Sequence, residues 1–294
     1  MWWLLAALVV DSTHSLEIPI TQTESLHVEI SGAGEPVVLI PGLFGSAFGF
    51  RTLVPLLSER GYRAIVIEPL GIGGSARPPR ADYSLTAQAD RVAAALDSLH
   101  VQQAVIVGHS VGGSQALRLA YRRPDLVRAL ITIEGGPAET AVTPAFKRAM
   151  RFAPWIKLLG GVRLIRWKIR NMLIASSGDG RWVTTEVVEG YTAAAARNLD
   201  GTLKAFLAMA AAREPVKLES HLREIRCPVL LMVGGARHEG DVSSEEVVLL
   251  EQTLPHFALD SVPGTGHFLY EERPEAVLGA LLQVTVDTAL VTAP

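Results

Sequence analysis

Two kinds of hydrophobic pattern alternate along most of the chain. One is a short, nearly continuous apolar run, which predicts a buried strand, and the other repeats apolar residues every three or four positions, which predicts a helix. The predicted strands span residues 26–30, 37–40, 64–67, 104–107, 129–133, 229–233 and 258–262. The predicted helices span residues 86–99, 114–122, 245–253 and 274–282. This alternation predicts an α/β fold in which helices cover a mostly parallel sheet.

The alternation stops between residues 133 and 229, where the sequence reads as helices rich in Ala, Leu and Arg. We interpret this interval as a helical lid over residues 137–225. The lid is then an insertion into a core formed by residues 21–136 and 226–294.

Part of the predicted lid is amphipathic and strongly basic. Its apolar stripe consists of Leu158, Val162, Ile165, Ile169 and Met172. Residues 147–170 contain eight Lys or Arg residues and no acid. One interpretation is that such a helix binds an anionic membrane surface or an acidic substrate. The other is that its basic stripe is the solvated outer face of a lid.

The composition narrows the class of protein and of partner. The chain has 294 residues, of which 49% are hydrophobic and 19% charged, with a formal net charge of −3. This length is sufficient for a large core, and the weakly negative balance argues against nucleic acid as a partner. The single cysteine, Cys227, cannot form an intrachain disulfide, and its place before an apolar run predicts a buried structural thiol.

An unbroken apolar run at residues 2–10 opens the chain. It is too short to span a bilayer. Its length fits a signal peptide, although no Lys or Arg precedes it. Residues 1–20 are therefore interpreted as an apolar leader, a signal or anchor, with a non-native or disordered start as the alternative. A leader would make the protein exported or membrane-associated, and without one it would be cytoplasmic.

The candidate chemistry begins at a serine between glycines. The letters GHSVG start at Gly108, directly after an apolar run and directly before a helical pattern. This is the G-x-S-x-G motif in the strand-turn-helix context of a nucleophile elbow, which exposes the hydroxyl of Ser110 on a sharp turn. Gly108 and Gly112 must lack side chains if strand and helix are to pack closely there. His109 is interpreted as a packed spacer.

A serine hydroxyl is a weak nucleophile at neutral pH until a base removes its proton. Among the eight histidines, His267 is the best candidate for that base. It ends the glycine-rich run PGTGH, which starts at Pro263 after the last predicted strand. A loop in that place lies at the edge of the sheet where Ser110 is expected to emerge.

Four segments together resemble the α/β-hydrolase family, and the resemblance covers residues 25–285. They are residues 40–44, with Pro41 where the family has a histidine, and residues 68–75, 108–113 and 264–267. The resemblance implies an eight-stranded, mostly parallel sheet with a helical lid inserted after the sixth strand. It also implies an oxyanion hole formed by the backbone N–H groups of Leu43 and Val111.

The carboxylate that would orient the histidine is missing from its usual place in this family. Arg237 stands where the acid is expected, and an arginine cannot accept the imidazole N–H. Glu134 is the leading substitute, because it ends the strand beside that of the serine; by resemblance, haloalkane dehalogenases carry their acid after this strand. Glu239 and Asp241 are alternatives, and so is a site without an acid.

These residues predict a serine hydrolase that cleaves a carboxylic ester or related acyl compound through an acyl-enzyme. Ser110 would be the nucleophile, His267 the general acid and base, and Glu134 its orienting acid. Serine at the elbow argues against dehalogenase and epoxide hydrolase chemistry, which needs a carboxylate there. No metal and no cofactor are expected, because the sequence has no clustered metal ligands and serine acyl transfer requires none.

The expected partner is a small hydrophobic acyl substrate, with medium-chain or bulky groups. Aromatic residues of the lid would line its pocket or pack the lid itself: Phe146, Phe152, Trp155, Trp167, Trp182 and Phe206. One alternative is a non-catalytic ligand-binding protein on the same fold, suggested by Arg237. Another is a lipase or acyltransferase in contact with a membrane surface, suggested by the apolar run and the basic lid segment.

Overall fold

The strands assemble into one eight-stranded sheet in the computed structural model, which describes residues 13–142, 144–149 and 160–286. The strands are β1 (His14–Pro19), β2 (Ser25–Ser31), β3 (Glu35–Ile40), β4 (Tyr62–Ile67), β5 (Ala104–His109), β6 (Val127–Ile133), β7 (Val229–Gly234) and β8 (Phe257–Val262). Their order in the sheet is β1-β2-β4-β3-β5-β6-β7-β8. The pairs β1/β2 and β2/β4 are antiparallel and all others are parallel, which confirms the predicted mostly parallel sheet.

The described helices are α1 (Leu53–Glu59), α2 (Leu85–Ser98), α3 (Val111–Arg122), α4 (Pro144–Ala149), α5 (Gly161–Ala175), α6 (Thr185–Arg197), α7 (Leu199–Ala211), α8 (Ser244–Thr253), α9 (Leu269–Glu272) and α10 (Pro274–Val286). Short 3₁₀ helices occupy Ala47–Phe50, Gly180–Trp182 and Leu218–Glu224. Helices α4 to α7 all lie between β6 and β7, so the chain carries a helical insertion after the sixth strand.

Two hydrophobic layers cover opposite faces of the sheet. Along β3, Val38 and Ile40 belong to one layer and Val37 and Leu39 to the other, as the two-residue side-chain period of a strand requires. Helices α2 and α3 pack in the first layer, whereas α1 and α10 pack in the second. Because both faces are covered, every residue of β5 is buried, and the strand appears in the sequence as a continuous apolar run.

Strand β1 and helix α1 have no counterpart among the predicted elements. His14–Pro19 pairs with β2 at the edge of the sheet, although these residues lie in the segment interpreted as a leader. Only Ile18 of this strand is buried, so the alternating pattern that would indicate a strand is absent.

The apolar run at residues 2–10 lies outside the described residues. Within the described ranges, no helix combines the length and apolarity needed to cross a membrane.

Candidate functional site

Ser110 occupies a strained turn between the end of β5 and the start of α3. Its backbone angles are φ 53° and ψ −124°, in the positive-φ region that residues with a side chain rarely adopt. A Cβ added to Gly108 would lie 2.5 Å from the carbonyl oxygen of Gly112, and one added to Gly112 would lie 2.4 Å from that of Ile40. Both glycines therefore permit backbone packing that no larger residue would allow, as the motif implied.

The loop after β3 lies directly against the serine. A Cβ added to Gly42 would stand 3.1 Å from the Cβ of Ser110. Among the described residues, the N–H groups of Leu43 and Val111 donate to no other group of the protein. Leu43 and Val111 also line the same small cavity beside the turn. Two free donors thus lie next to Ser110, in the places that the family resemblance assigned to an oxyanion hole.

His267 is fixed beside the serine turn by its backbone. The Nε2–H of His109 donates to the carbonyl oxygen of His267 at 3.1 Å, and the two imidazole rings are 4.8 Å apart. The N–H of His267 donates to the carbonyl of Ser176 at 2.8 Å, and Glu272 accepts the N–H of Gly266 at 2.9 Å. His109 is therefore more than a spacer, because the residue that precedes the serine holds the backbone of the candidate base.

The His267 ring lies in a setting that favours its neutral form. Burial, followed by the neighbouring His238, lowers the pKa of His267 from 6.5 to about 4, while Gly240 and Asp241 oppose that shift. The Nδ1 atom is buried without a hydrogen-bond partner in the described structure and faces Gly240, whose added Cβ would lie 3.2 Å away. A neutral imidazole is the form that can accept a proton from a serine hydroxyl.

Glu134 lies at the end of β6, where its backbone also has a positive φ of 48°. Its carboxylate accepts the N–H of Gly234 at 2.5 Å and that of Val242 at 3.3 Å. The Nε2 of His238 is 3.2 Å from one carboxylate oxygen, and both side chains are buried. Burial raises the pKa of Glu134, and the Gly234 N–H and the His238 ring oppose that rise.

Glu134, His238 and His267 form one cluster. A carboxylate oxygen and one ring nitrogen from each histidine all lie within 4.8 Å of one another. No direct hydrogen bond joins Glu134 to His267 in the described structure, whereas the Nδ1–H of His238 donates to the carbonyl of Ala236 at 2.7 Å. Two imidazoles and a carboxylate are also ligands that can bind a divalent transition metal.

The other candidate acids, Glu239 and Asp241, have fewer contacts with the histidines. Both are exposed in the loop after β7, and so is Arg237, which occupies the expected position of the acid. The charge of Asp241 contributes to the pKa of His267, whereas the only described hydrogen bond of Glu239 joins its N–H to the carbonyl of Ala175. His238 was the group that the sequence did not reveal, because a histidine between Arg237 and Glu239 carries no motif of its own.

A large apolar cavity lies between the insertion and the loops after β3 and β4. It encloses about 910 Å³. Its lining includes Leu43 and the aromatic rings of Phe44, Phe146 and Phe206, which pack edge to face on one another. The cavity therefore reaches the loop that lies against Ser110, and its volume is that of a small-molecule site.

The other aromatic residues proposed for the lid have different surroundings. Trp182 packs against Phe268 and Tyr191 in the hydrophobic layer beside the histidine loop. Trp167 is 59% exposed on α5. Phe152 and Trp155 lie outside the described residues. Of the six candidates, Phe146 and Phe206 thus line the cavity.

A buried polar network attaches the insertion to the segment after His267. The Glu271 carboxylate accepts from Nη1 of Arg51 at 2.6 Å and from the hydroxyl of Tyr191 at 2.8 Å. Its side chain is 1% exposed, and burial raises the pKa of Glu271 against the effect of Arg51. Since Tyr191 also lines the cavity, this network fixes the cavity wall relative to α9.

Comparison with known proteins agrees with this architecture. The model of the alpha/beta hydrolase fold family matches residues 35–274. The sn-1-specific diacylglycerol lipase ABHD11 of Mus musculus is 26% identical over 257 residues, which cover 83% of this chain and 79% of the lipase. The 2-(acetamidomethylene)succinate hydrolase of Mesorhizobium japonicum is 26% identical over 263 residues, 87% of this chain and 90% of the relative.

A bromoperoxidase from Bacillus anthracis has a similar structure, with a TM-score of 0.77 and 21% sequence identity. The match covers 93% of this chain and 100% of the bromoperoxidase. At 21% identity this likeness shows the fold alone. The family model, by contrast, matches residues 35–274, which is most of the chain. The protein belongs to the α/β-hydrolase fold family.

Proposed function

We propose that the protein is a serine hydrolase that cleaves carboxylic esters or related acyl compounds. The observation that carries this proposal is the strained, positive-φ turn at Ser110, which lies beside two free N–H donors and directly follows His109, the residue that holds the backbone of His267. The lowered pKa of His267 favours the neutral ring that can act as a base. An elbow of this kind exposes a serine hydroxyl for attack on a carbonyl carbon.

In the first step, His267 takes the proton of the Ser110 hydroxyl as the oxygen attacks the substrate carbonyl. The carbonyl oxygen becomes an oxyanion, which the N–H groups of Leu43 and Val111 stabilise; one such donor contributes about 3 kcal/mol to the transition state. His267 then gives its proton to the departing alcohol, leaving an acyl-enzyme. Water, deprotonated by the same ring, releases the acid and restores the serine.

Glu134 supports this cycle as the orienting acid. The ring of His267 becomes positively charged during each transfer, in a buried place where an uncompensated charge is costly. Glu134 is a buried carboxylate within 4.8 Å of a His267 ring nitrogen, and its own position is fixed by two backbone N–H groups. His238 belongs to the same cluster and opposes the charged form of His267, which leaves Glu134 as the member of the cluster that stabilises the imidazolium.

The cavity supports a preference for apolar acyl groups. Its lining is dominated by aliphatic and aromatic side chains, and burial of each additional CH₂ contributes about 0.8 kcal/mol. One relative is named as a diacylglycerol lipase, a name that is consistent with an acyl ester as the substrate. We expect 4-nitrophenyl hexanoate to be cleaved with a higher kcat/KM than the acetate.

The proposal is tested by ester turnover in matched serine variants. Ser110→Ala is expected to lower kcat by at least about 10³-fold, since removal of a nucleophile leaves only binding and oxyanion stabilisation. Ser98→Ala, an exposed serine near the end of α2, is the control and is expected to keep the activity of the wild type. A wild type that binds esters without turnover would instead favour the non-catalytic binding protein.

One observation favours a second candidate, a lipase that works at a membrane surface. Trp167 is 59% exposed on α5, and Arg163, Lys168 and Arg170 of the same helix are exposed beside it. An exposed tryptophan among cations is typical of a surface that binds anionic lipid. Cosedimentation with phosphatidylserine vesicles that falls on Trp167→Ser substitution would support this candidate, and equal sedimentation of both proteins would contradict it.

A further inference from the structure

Arg77, in the loop after β4, lines the large cavity. Its guanidinium is fixed by its own loop, because Nη1 donates to the carbonyl of Ser75 at 2.9 Å and Nη2 donates to the carbonyl of Gly73. A guanidinium with two nitrogens tied to backbone carbonyls is held in one orientation before any ligand arrives, which lowers the entropic cost of binding.

Three other buried or half-buried arginines have the carboxylate partner that Arg77 lacks in the described part of the chain. Arg51, Arg91 and Arg118 each form an ion pair with a glutamate at 2.6 to 3.2 Å. Within the described ranges, Arg77 has no carboxylate within ion-pair distance, and its Nε is buried without a hydrogen-bond partner. An unpaired cation that is partly removed from water is unfavourable.

Arg77 also lies in a part of the cavity lining that has no carboxylate among its described residues. Burial lowers the pKa of Arg77, and the charge of Glu68 opposes that effect more strongly than repulsion by Arg197 adds to it. Among the described residues of the cavity lining, Lys168 of α5 is the other charged residue and no acid is present. A cavity whose described lining combines apolar side chains with two cations fits an amphiphilic ligand with an anionic end.

We propose that Arg77 is an anion-binding residue of the substrate site, and that the substrate is an ester that carries a carboxylate in addition to its apolar part. This inference rests on the proposed hydrolase function. Leu43 lines the same cavity and carries a candidate oxyanion donor, so the carboxylate would bind at Arg77 while the ester carbonyl reaches Ser110. The carboxylate can belong to the acyl part or to the alcohol part of the ester.

The test compares esters that differ in one carboxylate. For the acyl part, mono-4-nitrophenyl adipate is compared with 4-nitrophenyl hexanoate, which has the same number of acyl carbons. For the alcohol part, 4-carboxyphenyl hexanoate is compared with its methyl ester. We expect the wild type to prefer the anionic member of one pair in kcat/KM. Arg77→Met should reduce that preference by on the order of tenfold or more, mainly through KM, because a charge-assisted hydrogen bond is lost.

Two further variants separate anion binding from a structural role of the loop. Arg77→Lys keeps the charge and is expected to retain part of the preference, whereas Arg80→Met, at an exposed arginine three residues away, should retain all of it. If Arg77→Met lowers the kcat/KM of both members of a pair equally, or if the wild type has no preference in either pair, the inference is overturned.

Binding to Ser110→Ala distinguishes this inference from the proposed function. Calorimetric titration of that variant with the two acyl-part esters measures selection without turnover. Cleavage of both esters at equal rates would support the hydrolase function and contradict the anion site. If the adipate ester binds more tightly and this preference requires Arg77, but the wild type turns over neither ester, the anion site is supported and the hydrolase function is contradicted.

Discussion

The low pKa of His267 predicts how activity responds to acid. A general base must be neutral to act, and kcat/KM reports the pKa of that base in the free enzyme. A decrease from 6.5 to about 4 corresponds to about 3 kcal/mol in favour of the neutral ring. At pH 5.5 about 97% of His267 would be neutral, compared with about 9% for an ordinary imidazole.

We therefore expect kcat/KM at pH 5.5 to stay near its value at pH 7 and to decrease only as the pH approaches 4. Product formation from a neutral hexanoate ester would be measured by chromatography between pH 3.5 and 8. Samples returned from each pH to pH 7 before assay control for unfolding. His238→Gln removes a neighbour that lowers the pKa of His267, so its acid limb should move to higher pH. An acid limb near 6.5 in the wild type would refute this reasoning.

Three other predictions follow from the same geometry. Glu134→Gln is expected to lower kcat by on the order of 10²- to 10⁴-fold, because the imidazolium loses its nearby carboxylate; turnover equal to that of the wild type would remove Glu134 from the mechanism. Gly112→Ala is expected to destabilise the fold by about 1–3 kcal/mol, because its Cβ would meet the Ile40 carbonyl at 2.4 Å, and an unchanged Tm would contradict this. Dialysis against EDTA is expected to leave turnover unchanged; a loss that Zn²⁺ restores would instead assign a cation to the cluster of Glu134, His238 and His267.

The central sheet and the serine turn could be predicted from the sequence because their physical requirements leave local signals. A strand covered on both faces needs a continuous apolar run, and β5 has one. A sharp turn packed against the next helix needs glycines at fixed spacing, and Gly108 and Gly112 provide them. By contrast, β1 is an edge strand with a single buried residue, so its pairing with β2 leaves almost no pattern.

The surroundings of the candidate base were harder to predict because they depend on contacts between distant segments. Glu134 could be proposed from its place after β6, but its contact with His238 joins residues about a hundred positions apart. The missing partner of Arg77 among the described residues becomes visible only in the folded chain, by comparison with Arg51, Arg91 and Arg118, which each pair with a glutamate. Sequence patterns report the local periodicity of burial, whereas the pairing of buried charges is a property of the folded chain.

Mass spectrometry after treatment with a fluorophosphonate shows whether Ser110 is an activated nucleophile, because the reagent labels a serine only when a base activates its hydroxyl. We expect one adduct per chain, located on Ser110, absent from Ser110→Ala and formed far more slowly in His267→Gln. A wild type that stays unlabelled, or an adduct that persists in Ser110→Ala, would contradict this role of Ser110.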